Sequence, residues 1–226
     1  MRRNSLSSAR RAAGLTQQEA AGRLGVSQAY VALLEGGKRP LSPRMSSRIA
    51  KLYRLGPIAL PLVASSKTGW DSASLAAALG ALGYAGFGYL RARRPSNPAV
   101  VLLNAIAANN VEVRVAEALP WLMLEYSDLD WEWLIREAKL RDLQNRLGFL
   151  VTLARQLAEK RGSQDIAARL RHVEDIAERA RLAREDGLFQ PLSEAEREWL
   201  RESRSAGARH WNLLTDLDSA PLPYAV

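Results

Sequence analysis

The sequence contains no cysteine and only two histidines, His172 and His210. Without cysteine the chain forms no disulfides and no thiolate metal sites, which fits a reducing compartment. Each histidine stands alone among charged residues, and no group of His, Asp and Glu has the spacing of a metal site. We therefore expect no metal and no cofactor.

Catalytic motifs are missing as well. The sequence has no nucleophile elbow, phosphate-binding loop or kinase signature. The glycines at 83–88 lack the spacing of a dinucleotide fingerprint and follow no predicted strand. Asp128, Asp130 and Glu132 cluster where a helix is predicted to start, and the helix dipole favours carboxylates there. The sequence predicts that the protein is not an enzyme.

Long hydrophobic runs are scarce. The one membrane candidate, Ser72 to Leu90, carries no charge but consists mostly of Ala and Gly. A span needs ~20 predominantly apolar residues, so we favour a buried helical pair over a membrane helix. No apolar core follows Arg2 and Arg3, so a signal peptide is not expected. The predicted location is the cytoplasm, in association with the nucleoid.

The surplus of positive charge is confined to the first quarter of the chain. Residues 1–55 contain 11 Lys or Arg and 2 Asp or Glu, whereas the following residues contain 21 and 22. Such a concentration of charge predicts an anionic partner, and the phosphate backbone of nucleic acid is the usual one.

Helix signals recur at short spacing in this basic quarter. An apolar face over residues 6–13 ends at Gly14. Thr16 to Glu19 reads Thr-Gln-Gln-Glu, a capping box that opens a second helix, which ends at Gly25. Ser27 caps the next helix after one intervening residue. Two short helices joined steeply through glycine are typical of a helix-turn-helix unit.

Two further helices complete the pattern. The third is predicted from about Gln28 to Glu35, with Val31 and Leu34 inward, and the fourth begins with Ser42 as cap and Pro43 as its first residue. This quarter resembles the Cro/repressor-type (Xre) helix-turn-helix family in two segments, Gly14-Leu-Thr-Gln-Gln-Glu-Ala-Ala-Gly-Arg-Leu-Gly-Val-Ser-Gln28 and Leu34-Glu35-Gly-Gly-Lys-Arg-Pro40.

The resemblance implies a five-helix-type DNA-binding domain and a double-stranded, pseudo-palindromic operator bound by a homodimer. It places the helix at 27–35 in the major groove. Base edges are expected to be read by Gln28, whose carboxamide can pair with adenine, by Ala29 and by Leu33. Phosphate contacts are expected from the side chains of Gln17, Ser27, Lys38, Arg39 and Arg44.

Three details qualify this assignment. By resemblance, Gln17 also braces Gln28, and Arg10 forms a structural pair with Glu35 that does not contact DNA. Tyr30 and Leu33 depart from the family, because many relatives place short polar residues there. Leu33 therefore either meets thymine methyl groups or is buried against the second domain.

The sequence predicts an all-α fold in which a DNA-binding domain at 1–56 is followed by a linker at 57–70 and a larger multi-helix domain at 71–226. Helices of this larger domain are predicted near 72–80, before 94, at 97–108, 111–119, from about 131 through Ile135, and at 141–161, 163–184, 193–200 and 208–214. Pro120 either kinks the helix at 111–119 or begins a new turn to Tyr126.

The role of the larger domain stays open between two functions. In the first, the protein is a repressor or autorepressor, and this domain supplies dimerisation and a regulatory input. In the second, the protein is an antitoxin whose helical domain binds and neutralises a toxin, since many Xre-type proteins with added helical domains do so. Trp121, Trp131 and Trp133 lie close together in this domain, and core packing is favoured over a ligand pocket or a partner groove.

Overall fold

The computed structural model describes residues 3–62, 70–90, 95–189, 191–219 and 222. The chain divides into two compact units, residues 1–63 and 64–226. The division falls inside the segment predicted as a linker, and residues 63–69 of that segment lie outside the described residues. Helices dominate the described part of both units, so the fold is all-α as predicted.

The first unit contains four α-helices in its described residues, where the resemblance implied five, and a 3-10 turn follows the fourth. The helices are α1 (Arg3–Ala12), α2 (Gln17–Leu24), α3 (Gln28–Glu35) and α4 (Pro43–Leu52), and the turn is Pro57–Ala59.

Local chemistry fixes the ends of these helices. Thr16 and Glu19 form the predicted capping box at the start of α2, and Gly25 ends that helix at φ +60°, a conformation that costs glycine little. The hydroxyl groups of Ser27 and Ser42 cap α3 and α4. Because only Val26 separates the end of α2 from the cap of α3, the angle between the two helices is set locally.

A single apolar core holds the four helices together. Each helix contributes to it, and Tyr53 closes one end after α4. Its buried members are Leu6, Leu15, Ala20, Ala21, Leu24, Val31, Leu34, Ile49 and Tyr53. At about 25 cal/mol per Å² of apolar surface removed from water, a core of this kind is the main stabilising contribution in so small a unit.

The second unit is larger, and it contains all six tryptophans of the sequence. Its helices are α5 (Ser72–Ala81), α6 (Pro98–Ala107), α7 (Val113–Glu125), α8 (Trp131–Lys139), α9 (Gln144–Lys160), α10 (Gln164–Glu178), α11 (Glu194–Ser203) and α12 (Ala206–His210). Two short strands, β1 (Asp186–Gly187) and β2 (Leu213–Leu214), pair in parallel. No helix of the described residues is long and apolar enough to cross a membrane.

α9 lies at the centre of this unit, where it packs against α7, α8, α10 and α12. Trp211 is fully buried, and its indole N–H donates to Thr152 Oγ1 on α9 at 2.8 Å. Gly148, one turn earlier on α9, lies under the Trp211 ring, and a Cβ at this position would overlap the ring atoms. The absent side chain of Gly148 is therefore a condition for burying Trp211.

Several predicted helix bounds in this unit are wrong. The helix predicted to reach Arg184 ends at Glu178, because the chain then turns back to Asn145, whose side chain both accepts from and donates to the backbone of Leu182. The helix predicted from 141 starts at Gln144, after Asp142 with φ +56°.

Other bounds differ for similar reasons. The helix predicted over 208–214 ends at His210. Asn212 then adopts φ +53°, and its carbonyl accepts a hydrogen bond from Asp186 N–H. This bond starts the pairing of β1 with β2. The helix predicted from 111 starts at Val113, since Glu112 N–H is bonded to Ser72 Oγ, and it continues through Pro120 to Glu125. Of the short helix predicted before 94, residues 91–94 lie outside the described part, and a 3-10 turn occupies 85–87.

The tryptophans near the middle of the unit pack in two ways. Trp133 is buried in the core. Trp121 is half-buried, and its ring lies 5.1 Å from that of Tyr84 and 6.4 Å from that of Tyr126. Trp131 is half-buried too, and its indole N–H donates to the carbonyl of Ser127 at 3.1 Å.

Candidate nucleic-acid interface

The predicted pair between Arg10 and Glu35 is present and joins α1 to the end of α3. Arg10 Nε donates to Glu35 Oε1 at 2.6 Å and Nη2 donates to Oε2 at 3.2 Å. A third bond runs from Arg10 Nη1 to the carbonyl of Leu15, just before α2. Only 7% of each side chain of the pair is exposed. The pair therefore fixes α3 relative to the rest of the unit and is not available to DNA.

The same pair controls the ionisation of Glu35. Burial by itself raises the pKa of this carboxyl group, but hydrogen bonds from Arg10 and Gln17, together with the charge of Arg10, outweigh burial and hold the pKa below its ordinary value. Glu35 is consequently ionised at neutral pH.

Gln17, at the first turn of α2, is part of this network. Its Nε2 donates to Glu35 Oε2 at 2.9 Å, and no hydrogen bond between Gln17 and Gln28 occurs in the described residues. The predicted bracing of Gln28 is therefore replaced by an anchor to Glu35. A carboxamide nitrogen has two hydrogens, so one of them stays available for the predicted phosphate contact.

The outer face of α3 carries the three candidates for base reading. Gln28 and Ala29 are exposed, and Leu33 is 38% exposed. Val31 and Leu34 on the opposite face are 2% and 4% exposed and hold α3 against the core. Ser27 Oγ accepts from Tyr30 N–H at 3.2 Å, which leaves its hydroxyl hydrogen for a phosphate.

The loop after α3 turns back along the helix through Gly37. Gly37 adopts φ +66°, and its N–H donates to the carbonyl of Leu34 at 3.1 Å. The N–H groups of Lys38 and Arg39 both donate to the carbonyl of Leu33, at 2.9 and 3.3 Å. This is the bond pattern of a Schellman motif, and it places the two cations beside the end of α3.

Arg39 is further held by an aromatic ring. Its guanidinium carbon lies 4.9 Å from the centre of the Tyr30 ring. From the sequence, Tyr30 was interpreted only as a departure from the pattern of the resembling family, and its contact with Arg39 was not predicted. A tyrosine in α3 followed nine residues later by an arginine after two glycines was the available signal.

Positive charge on the surface of this unit is not neutralised from within. Both carboxylates of residues 1–55 are engaged, Glu35 as described and Glu19 by accepting from Thr16 N–H at 2.8 Å and from its hydroxyl at 2.7 Å. Within the described part of the unit, no exposed lysine or arginine forms an ion pair. These exposed cations are Arg11, Arg23, Lys38, Arg39, Arg44, Arg48, Lys51 and Arg54.

Two arginines of α4 differ in role. Arg44 is exposed in the first turn of α4, which has no acidic residue to balance it. A cation at the positive end of a helix dipole is unfavourable unless an anion lies nearby, which agrees with its predicted phosphate contact. Arg48 instead donates through Nη2 to the carbonyl of Leu24 at 2.5 Å, so it caps the end of α2, a contact that sequence reasoning missed.

Residues 5–62 match the family model described as a helix-turn-helix domain. No curated protein and no solved structure matches the chain. The match covers about a quarter of the chain and coincides with the basic four-helix unit, which is consistent with the helix-turn-helix of Xre-type regulators. In the described residues, no three His, Asp or Glu side chains come together in a group that could hold a metal ion.

Proposed function

We propose that the protein is a sequence-specific, DNA-binding transcriptional regulator that inserts α3 into the major groove of its operator and represses the promoter it occupies. The observation that carries this proposal is the outer face of α3, where exposed side chains suited to reading bases are bordered by cations that have no ion-pair partner in the described part of the unit.

Charge supplies the sequence-independent part of binding. Each phosphate that a cation neutralises releases condensed counterions, so affinity falls steeply with salt. Lys38, Arg39 and Arg44 follow α3 in the chain and are exposed, and the two carboxylates of the unit are engaged internally. We assign these three cations and the free hydrogens of Gln17 and Ser27 to phosphates that fix α3 in register.

Side-chain chemistry supplies the sequence-dependent part. The Gln28 carboxamide is both donor and acceptor, as bidentate pairing with adenine requires, and it is exposed at the first turn of α3. Ala29 and Leu33 offer apolar surface to the methyl group of thymine. The proposed reading set therefore favours A·T pairs within each half-site.

We assign dimerisation and regulatory input to the second unit. One α3 can read only a few base pairs, and helix-turn-helix proteins obtain specificity by placing two recognition helices about one helical turn apart on a pseudo-palindromic site. A unit of residues 64–226 is large enough to contribute a stable interface.

The test is selection of duplexes from a random pool by the intact protein, followed by affinity measurements. We expect one consensus with approximate two-fold symmetry. On that duplex, Gln28→Ala should weaken binding by ~1–3 kcal/mol and relax the preference at one base position. Gln164→Ala, the same change at an exposed site on α10, is the matched control and should leave affinity unchanged.

Three outcomes separate the possibilities. Failure to enrich any duplex would contradict the proposed function. Enrichment with a Gln28→Ala variant of unchanged preference would mean that α3 does not read bases as proposed. Isolation of the protein from its native cells with its own promoter and a stoichiometric small protein would add neutralisation of a toxin to the role of the second unit.

A further inference from the structure

We propose that Tyr30 is a positioning residue for DNA binding: its ring holds the guanidinium of Arg39 beside α3, so that the two side chains act as one phosphate-binding unit. The inference rests on the proposed function and goes beyond it by assigning a role to a residue that would otherwise count only as a departure from the family pattern.

The first step is the geometry of the pair. The guanidinium carbon of Arg39 lies 4.9 Å from the centre of the Tyr30 ring, within the ~6 Å range of cation–π attraction. Tyr30 is half-buried and packs against the core of the unit, which fixes its ring. Arg39 is exposed and has no ion-pair partner in the described part of the unit. One partner is thus rigid, and the other presents its charge to solvent.

The second step is that Arg39 is held at both ends. Its backbone N–H donates to the carbonyl of Leu33, next to the bond from Lys38, in the motif that turns the chain back at Gly37. Its guanidinium lies against Tyr30. A free arginine loses much rotamer freedom when it binds a phosphate, whereas an arginine fixed beforehand loses less, so preorganisation favours binding.

The third step is the position of the pair relative to the reading face. At 100° per residue, Tyr30 lies on the flank of α3 next to Leu33, whereas Glu35 lies on the flank next to Gln28. Gln17 is bonded to Glu35. Gln17 and Arg39 therefore lie on opposite flanks of α3, and phosphates of the two DNA strands border the major groove on its two sides. The Tyr30–Arg39 unit would hold the strand opposite to the one that Gln17 holds.

The experiment is a double-mutant cycle in the intact protein, with Tyr30→Leu, Arg39→Ala and the double variant. Affinity is measured on the selected duplex over a range of salt concentrations, and the melting temperature of every variant is recorded. We expect Tyr30→Leu to weaken binding about two- to fivefold, the size of an exposed cation–π interaction. In the Arg39→Ala background the same change should have no effect.

A conservative variant separates the ring from the hydroxyl. Tyr30→Phe keeps the aromatic face and should restore the affinity of the original protein. If Tyr30→Phe weakens binding as much as Tyr30→Leu, the hydroxyl itself contacts DNA and the inference is overturned. An effect of Tyr30→Leu that persists undiminished without Arg39 would overturn it as well.

A variant outside the core keeps the test valid if Tyr30→Leu fails to fold. Arg39 is exposed, so Arg39→Lys should preserve the fold; it keeps the charge but loses the flat guanidinium. We expect weaker binding with an unchanged salt slope, and binding equal to that of the original protein would contradict the inference. If the original protein selects no duplex, both the proposed function and the inference fail; selection followed by additive effects removes the inference alone.

Discussion

Arg10 shows how much of the first unit depends on one side chain. It bonds to Glu35 at the end of α3 and to the carbonyl of Leu15 before α2, so three parts of the unit meet at one guanidinium. Removing one partner of a buried pair leaves the other charge without compensation, which costs more than the pair contributes when it is intact.

We therefore expect Arg10→Ala to lower the free energy of unfolding of the first unit by about 3–5 kcal/mol. Thermal unfolding followed by circular dichroism would measure the effect. The neighbouring Arg11→Ala is the matched control, since Arg11 is exposed on the same helix and its loss should change stability little. Equal melting temperatures for the Arg10→Ala protein and the original protein would contradict the structural role of the pair.

The lowered pKa of Glu35 also predicts a dependence of stability on pH. Burial raises this pKa, but Arg10 and Gln17 lower it more, so the folded state binds the proton less readily than the unfolded state does. The resulting stabilisation is fully present above the unfolded pKa of about 4.3 and is lost as pH falls through the folded value.

Glu35→Gln should accordingly flatten the fall in stability below about pH 5. Amide hydrogen exchange in α2 and α3 at a series of pH values would report on this unit within the full chain. Glu19→Gln is the comparison: its pKa is also lowered, through hydrogen bonds from Thr16, but the side chain is fully exposed, so we expect this change to flatten the slope less than Glu35→Gln does. A slope that Glu35→Gln leaves unchanged would show that another group causes the acid lability.

Residues whose partners are close in sequence were the predictable ones. The caps at Thr16, Ser27 and Ser42 follow from local patterns, and the family resemblance supplied the pair of Arg10 with Glu35. The contacts of Arg48 with Leu24 and of Arg39 with Tyr30 were not predicted, because an arginine side chain is long and its partner depends on how the loops place it.

At the scale of elements, the close approach of one side chain to the backbone of a helix decides how the C-terminal segment packs in the second unit. α9 carries Gly148 at the point where the ring of Trp211 covers it, and Thr152, one turn further on, accepts the indole N–H. This combination seats the segment between α12 and β2 on α9. A larger residue at Gly148 would force the ring, the segment or the helix to move.

Gly148→Ala should therefore destabilise the second unit by about 1–3 kcal/mol, although alanine favours a helix more than glycine does. The measurement is urea unfolding followed by tryptophan fluorescence. Gly207→Ala in α12 is the control, because a Cβ there would lie 3.7 Å from the Phe149 ring, an ordinary contact. Stabilisation by both substitutions would show that Trp211 can shift at no cost.

Element bounds were predictable where the periodicity was regular and ended at a local signal. The predicted bounds are wrong where the backbone forms hydrogen bonds with a residue distant in the sequence. Asn145 holds Leu182 and so ends α10 early, and Asp186 pairs with Asn212 where the apolar run Trp-Asn-Leu-Leu continues a helical pattern. These partners lie 26 and 37 residues apart, and such distant pairs leave no trace in a single sequence.

At the scale of the whole molecule, the two units differ in charge and in size. The basic unit builds its core from its own helices, and the near-neutral unit contains the larger core. Domains of about 55–65 residues do fold alone when their core is complete.

We expect a fragment of residues 1–63 to fold cooperatively and to bind DNA with about half the salt slope of the intact protein, since one unit supplies half of the phosphate contacts of the proposed dimer. Its affinity for the selected duplex should be lower, because the proposed dimerisation is lost with the second unit. Circular dichroism and fluorescence anisotropy would measure both properties. A fragment that binds the selected duplex as tightly as the intact protein would show that the second unit does not supply the dimer.

The aromatic residues are distributed so that tryptophan fluorescence reports on only one of the two units. All six tryptophans, including the fully buried Trp211, belong to the second unit, whereas Tyr30 and Tyr53 are the aromatic side chains of the described first unit. Emission excited at the red edge of the indole band therefore comes from the second unit alone. A change in that emission when DNA is added to the unlabelled protein would report that occupation of the first unit is transmitted to the second.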